Sequence, residues 1–298
     1  MNIRILLICA LFGLFDNAWA VDEALAPAPA PAPAVAIDIE LPASFAEAAA
    51  APAPIPETKP LEPSKPAVEI LPYQMEEGTS YSHLNNGYAD WSSLYVDAEM
   101  KLGSRNNIYG SLRRESRFSK NDKEIMGGFY DPLTDSWTVV VEGSYSPSHF
   151  VLPSTSFLFK VDYLGGDGWA ANAGLRNTTY NNGLVNLITM TGERSWGNYR
   201  AAYTRYQSFL VGSGSANSNQ VQAARYYGDH SWFGLTISDG IELEATDTQV
   251  LKSQVRALVV SGLHWIKPRL GLTYALGNFR QGHFYIRNGI QLGLRQQF

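Results

Sequence analysis

The chain has 298 residues, of which 45% are hydrophobic and 12% aromatic but only 17% charged, against roughly 25% charged in a typical soluble protein. Mean hydropathy is −0.16, and past the N-terminus no apolar run approaches the ~20 residues of a spanning helix, so a helical membrane protein is excluded. The net charge of −5 comes from residues 21–72; residues 73–298 hold 20 basic and 19 acidic residues, which leaves no basic bias for nucleic acid. An aromatic, glycine-rich, charge-poor chain that is not hydrophobic on average suits a transmembrane β-barrel, whose lipid-facing and lumen-facing residues alternate.

Residues 1–20 predict a secretory signal peptide. Arg4 supplies the positive start, Ile5 to Phe15 the apolar stretch, and Ala18-Trp19-Ala20 the small-residue cleavage site. The one cysteine, Cys9, lies inside this segment behind the large Ile8, which argues against lipidation. A mature chain without cysteine has no disulfide or thiolate site. Residues 21–72 carry 12 of the 16 prolines, including the alternating run Ala26 to Ala34. Such a run builds neither a helix nor a sheet interior and favours extended polyproline II. This segment predicts a disordered Pro/Ala-rich periplasmic linker, with a glycan or periplasmic partner as its alternative use.

From Glu76 onward, segments of period two alternate with turn clusters. In 92–102, Leu94, Val96, Ala98, Met100 and Leu102 oppose Ser93, Tyr95, Asp97, Glu99 and Lys101. In 137–146, Trp137, Val139, Val141 and Tyr145 oppose Thr138, Glu142, Ser144 and Ser146. In 284–298, Phe284, Ile286, Ile290, Leu292, Leu294 and Phe298 oppose Tyr285, Arg287, Gln291, Arg295 and Gln297. Fourteen strands are expected, near 76–85, 91–102, 106–116, 122–132, 136–146, 155–164, 168–178, 184–194, 198–209, 219–229, 231–238, 252–264, 269–277 and 284–298; twelve or sixteen are the alternatives. The fold class is therefore all-β, a transmembrane antiparallel up-and-down β-barrel over 73–298. Connections after even strands are short. Those after odd strands read as longer, notably 147–154, 210–218 and 239–251. Outer-membrane barrels have short periplasmic turns and long external loops, so both termini are expected in the periplasm.

Trp137, Trp169, Trp196, Trp232 and Trp265 fall beside the proposed periplasmic turns, as expected of an aromatic girdle at the membrane interface. Trp232 has the parity of Gly234 and Thr236, so it requires a bulge or faces the lumen. Gln291, Gly293 and the terminal Phe298 fit the last-strand signal read by the barrel-assembly machinery, although Gln296 departs from the apolar place in it. The charged residues of lumen parity are Asp97, Glu99, Lys101, Arg113, Glu115, Glu142, Lys160, Asp162, Arg176, Arg256, Arg287 and Arg295. Mixed charges among tyrosines suit polar solutes or polysaccharide, and equally suit a set of pairs that plugs a narrow barrel.

Several segments, in order, carry a family resemblance: Tyr81 to Gly87 (YSHLNNG) with Asp90-Trp91, Tyr109 to Arg114 (YGSLRR) with Arg117-Phe118, Ser146 to Pro153 (SPSHFVLP), Glu193 to Asn198 (ERSWGN) and Arg225 to Asp229 (RYYGD). On these the chain resembles the YaiO family of bacterial outer-membrane β-barrels over about residues 76–298. The resemblance implies the fold and the location, with outer-membrane lipid as surroundings, and little chemistry. Some family members carry tetratricopeptide repeats before the barrel, where this chain has the Pro/Ala segment.

Three functions compete: a channel or export pathway, a structural or anchoring barrel, and a lipid-modifying barrel enzyme. An enzyme would need a nucleophile and base at the membrane rim. Of His83, His149, His230, His264 and His283, His149 has serines beside it, but adjacent serines do not present both hydroxyls to one imidazole. No HxH or HExxH spacing occurs. The sequence therefore predicts a channel, no enzyme, and no catalytic, cofactor or metal site.

Overall fold

A computed structural model describes residues 72–298 apart from 104, 182, 213, 229 and 246–249. The predicted signal peptide and Pro/Ala linker lie outside the described residues. Fourteen strands follow one another: β1 (Tyr73–Leu84), β2 (Trp91–Lys101), β3 (Asn107–Arg117), β4 (Lys120–Pro132), β5 (Trp137–Ser148), β6 (Thr155–Leu164), β7 (Trp169–Tyr180), β8 (Gly183–Trp196), β9 (Tyr199–Leu210), β10 (Gly214–Tyr227), β11 (Ser231–Ala245), β12 (Val250–Lys267), β13 (Leu270–Gln281) and β14 (Tyr285–Gln297). Each pairs antiparallel with its sequence neighbours, and β1 pairs with β14 to close the barrel. Closure leaves no free sheet edge, which is what allows strands to cross lipid.

The alternation read in the sequence is the alternation of the wall. Leu94, Leu112, Ile125, Phe157, Leu175, Val221, Ile237, Leu276 and Leu292 are exposed outward, while Glu76, Glu99, Ser111, Thr138, Ser156, Thr204, Gln220, Ser238 and Arg295 are buried on the inner side. The polarity is inside out relative to a soluble protein. Apolar side chains form the outer band, and polar ones face the lumen.

One rim, here the terminal rim, carries both ends of the barrel and the connections after even strands. The opposite, far rim carries the connections after odd strands. At the terminal rim the Phe298 amide donates to the Tyr73 carbonyl at 2.8 Å, so the last residue is stitched to the first strand.

The expected contrast in loop length is not present. The reading of 210–218 as a loop is corrected because β10 begins at Gly214, and that of 239–251 because β11 runs to Ala245 and β12 starts at Val250. Gly214 to Ser218 carries little apolar side chain and so lacks the alternation that marks a strand, whereas Ile241, Leu243 and Ala245 do alternate with Glu242 and Glu244 but follow Ser238-Asp239-Gly240, which reads as a turn. Past the lipid band a strand needs no apolar face. β12, with 18 residues, spans about 60 Å at ~3.3 Å per residue. That exceeds the ~25 Å apolar band even when the strand tilts, so the far rim is extended by strand rather than by loop.

Candidate functional site: the barrel lumen

Alternate positions of all fourteen strands build the inner wall, and its charges occur in bonded groups. Near the terminal rim, Glu76 of β1 stands opposite Arg295 of β14 across the closing seam. Arg295 Nε donates to Glu76 Oε2 at 2.7 Å, while the Tyr95 and Thr273 hydroxyls donate to Oε1 at 2.9 and 2.8 Å. The Tyr95 ring lies over glycines. A Cβ at Gly78 would stand 2.4 Å from its Cζ, and one at Gly293 would stand 2.7 Å from its hydroxyl and 2.9 Å from Glu76 Oε1. Gly293 therefore has a packing role in the folded wall. Asp97 accepts from the Ser111 hydroxyl at 2.6 Å.

At mid-height, Arg176 donates to Glu142 at 2.8 Å and the Tyr109 hydroxyl donates to the same carboxylate at 2.9 Å. Lys160 pairs with Asp162 at 3.1 Å and lies 5.6 Å from the centre of the Tyr130 ring. Arg200 pairs with Glu193 lower down, beside the β8–β9 turn at the terminal rim. Towards the far rim, Arg117 bonds Glu115 at 2.8 Å. Arg117 and Arg287 lie 4.7 and 4.4 Å from the centre of the Trp91 ring.

Charge is concentrated on one side of the wall. From β10 to β13 the inner positions are Ala, Gly, Ser, Thr, Gln, Val, Leu and aromatics, with Glu242 as their only carboxylate among the described side chains. Glu242 accepts from Gln281 at 2.9 Å. The lumen thus has a wall of paired charges facing a wall of hydroxyls, amides and small side chains.

Two devices narrow the far rim. The first is an aromatic cluster of buried Leu84, Trp91 and Tyr285 with Tyr88, Phe118 and Phe284 against it. Its rings meet edge to face, Trp91 and Phe118 at 5.2 Å and Tyr88 and Tyr285 at 5.4 Å. Phe118 and Ser119 form the β3–β4 turn with φ of 51° and 63°, a conformation that normally calls for Asn-Gly. Packing of the Phe118 ring holds this strained turn. The second is the 149–154 connection. Asp122, on the inner face of β4, accepts from the Val151 and Leu152 amides at 2.6 and 2.9 Å, and Leu152 is buried. Asn181 donates to the His149 carbonyl at 2.7 Å. The His149 ring meets the Ser146 backbone carbonyl at 3.2 Å rather than a serine hydroxyl.

Asp97, Glu99, Lys101, Arg113, Glu115, Glu142, Lys160, Asp162, Arg176, Arg287 and Arg295 all occupy inner positions. Arg256 does not. It shares the outer face with the exposed Leu258 and Val260 and bonds Asp239 at 2.8 Å, both side chains being more than half exposed. The stretch Val255 to Val260 is apolar on both parities apart from Arg256, so alternation could not assign its face. Sequence reasoning missed Glu76, Arg117, Asp122, Glu124, Glu193 and Arg200, which sit at strand ends or where the opposite parity is weakly apolar.

Trp137, Trp169 and Trp196 are exposed on the outer face at the terminal rim. Trp137 meets Tyr163 at 4.7 Å, Arg194 lies 4.9 Å from the Trp169 ring, and Trp196 stacks on Tyr199. Trp232 and Trp265 depart from the girdle. Both strands pair through Trp232 without a bulge, and the irregularity in β12 comes after Trp265. Both indoles therefore keep inner parity. Tyr73 and Phe233 are exposed on the outside near the same rim. In the last strand Gln291 and Gly293 face inward, whereas Phe298 is exposed outward.

The match to known proteins falls on this same wall. The model of the YaiO membrane beta barrel domain matches residues 73–245. The chain belongs to the YaiO family. The family match covers β1 to β11 of a barrel that continues through β14, and it makes this protein an outer-membrane β-barrel. Solved structures with similarity include an anion-selective porin from Comamonas acidovorans, 11% identical, with 76% of this chain and 98% of that one covered and a TM-score of 0.43. A bacterial polysaccharide outer membrane secretin is 8% identical over 76% and 98%, with a TM-score of 0.49. The translocator domain of the autotransporter NalP from Neisseria meningitidis is 12% identical over 76% and 88%, with a TM-score of 0.42. No curated protein sequence matches the chain.

Proposed function

We propose that this YaiO-family barrel is a narrow channel or export pathway for polar solutes or polysaccharide, and not an enzyme. The observation that carries the proposal is solvent access inside the closed wall. Lys160, Asp162 and Arg176 keep 22%, 26% and 31% of their side-chain surface exposed, although all three face inward. Eight strands close around their own side chains and sixteen leave an aqueous channel; fourteen strands with wet inner charges support a water-filled path. Half-buried inner aromatics, among them Tyr109, Tyr130 and Trp232, give a sugar ring a stacking surface beside the hydroxyl-rich wall.

The inner charges are mutually paired, so the path favours uncharged hydrogen-bonding solutes over a single sign of ion. The aromatic cluster and the pinned 149–154 segment act as the constriction. In this reading both termini are periplasmic, and residues 21–72 form a spacer or reach a periplasmic or glycan partner. The barrel-assembly machinery reads Gln291, Gly293 and Phe298. The second reading, an anchoring barrel without a path, draws on the packed far rim. Reconstitution in planar bilayers separates the two: stepwise conductance supports the channel, and silent insertion supports the anchor.

A further inference from the structure

Cross-strand pairs of like charge destabilise a sheet unless something neutralises them. Inner like-charge neighbours such as Glu76 and Asp97 share the hydrogen-bonded groups of the lumen, but among strand partners with both side chains exposed on the outer face two pairs are of like charge, both cationic and both towards the far rim. Arg114 of β3 stands opposite Lys123 of β4. Arg256 of β12 stands opposite Arg280 of β13. Below them the outer face turns apolar, with Leu112 and Ile125 directly under the first pair and, under the second, Leu258 opposite Asn278 and then Val260 opposite Leu276. The cations therefore sit where an apolar band meets water, at the height of lipid headgroups. The carboxylate beside them, Asp239, bonds Arg256 at 2.8 Å and offsets one of the four charges. Amide side chains complete the ring at this height, with Asn278 donating to Asn288 and Asn177 donating to Asn186, at 2.7 and 2.8 Å.

We propose that the Arg114–Lys123 and Arg256–Arg280 pairs are two binding sites for the phosphate groups of the glycolipid in the outer leaflet of the outer membrane. A phosphate between two cations turns a repulsive cross-strand pair into two charge-assisted hydrogen bonds, which are the strong ones. Guanidinium groups can engage it with two parallel N–H bonds. The terminal rim presents a different outer face, dominated by Trp137, Tyr163, Trp169, Trp196 and Tyr199, and its exposed Arg194 and Arg225 each stand beside a ring, 4.9 Å from that of Trp169 and 5.9 Å from that of Tyr199, rather than opposite a second cation. The wall is thus polarised for two chemically different leaflets, with the far rim in the phosphorylated one.

The test uses the full-length protein in zwitterionic detergent micelles, with lipid A, enzymatically dephosphorylated lipid A and phosphatidylglycerol as probes. The readout is the midpoint of the heat-modifiable gel shift, with apparent affinity from tryptophan fluorescence. Lipid A raises the midpoint and dephosphorylated lipid A does not. Arg114→Ser with Lys123→Ser, and Arg256→Ser with Arg280→Ser, each weaken lipid A binding by roughly tenfold, as expected for loss of one charge-assisted contact. In micelles without lipid A the same variants have midpoints at or above that of the wild type, because the like-charge cost is gone. An equal response to dephosphorylated lipid A overturns the proposal, as does a four-site variant that responds like the wild type. A response to phosphatidylglycerol as strong as that to lipid A also overturns it. If the four-site variant does not fold, the three-lipid comparison on the wild type decides the question alone.

Discussion

Removing the Glu76 carboxylate should open the seam that closes the barrel. Glu76 and Arg295 have side chains only 9% and 10% exposed, and the Tyr95 and Thr273 hydroxyls end on the same carboxylate. Glu76→Ala strands a guanidinium in the wall and leaves two hydroxyls without their acceptor. Loss of one partner of a buried pair costs about 3–5 kcal/mol. A double replacement of Glu76 and Arg295 by Leu should recover most of that loss, because well-packed apolar groups of similar volume often substitute for a buried pair. Arg256–Asp239 is the internal control. Its side chains are 61% and 57% exposed, so Asp239→Ala should cost less than about 1 kcal/mol. Guanidinium unfolding in phospholipid vesicles, followed by tryptophan fluorescence, measures all three. A Glu76→Ala variant no less stable than Asp239→Ala would refute the reasoning, and so would a double variant as weak as the single one.

Leu292→Arg places a charge on the outer band and should cost roughly 2–4 kcal/mol if it lies near the bilayer midplane, whereas Gln291→Arg, pointing inward, should be tolerated; equal folding yields of the two in lipid would contradict the parity. Deleting Phe298 removes one outward ring and the aromatic end of the assembly signal, so outer-membrane levels should fall while folding in detergent stays near normal; unchanged surface levels would count against the signal. Joining the signal peptide near Leu71 should still give a heat-modifiable barrel, since residues 21–72 lack an apolar period and are too rich in proline for a strand; loss of the barrel on this deletion would show that the segment is part of the fold.

The fold was legible because a barrel writes its own geometry as period two. Strands such as β2, β5 and β14 show it cleanly, with one apolar and one polar parity. Legibility failed where the apolar parity ends before the strand does. The start of β10 lies beyond any need for a lipid-facing side, so it reads as a loop, while the tip of β11 keeps its alternation through Ile241, Leu243 and Ala245 and is hidden by the turn-like Ser238-Asp239-Gly240 before it. It failed again where both parities are apolar. Val255 to Val260 offers two candidate faces, and Arg256 was placed on the wrong one. Tryptophan position followed chain position but not side: Trp137, Trp169 and Trp196 face out, and Trp232 and Trp265 face in. Of the inner pairs only those two residues apart on one strand, Arg117 with Glu115 and Lys160 with Asp162, follow from period two. Arg176 meets Glu142 across two strand neighbours, and Arg295 meets Glu76 from the last strand to the first, 219 positions apart. Such contacts depend on closure and on shear, and no local pattern encodes them.

Single-channel recording of the purified full-length protein in planar lipid bilayers tests the central claim most directly. A path lined by Lys160, Asp162 and Arg176 and narrowed by the Phe118 cluster should give discrete conductance steps with weak ion selectivity, and Phe118→Gly should enlarge the steps. Insertion confirmed by a heat-modifiable band, with no conductance in either the wild type or Phe118→Gly, would contradict the channel and leave the barrel as an anchor.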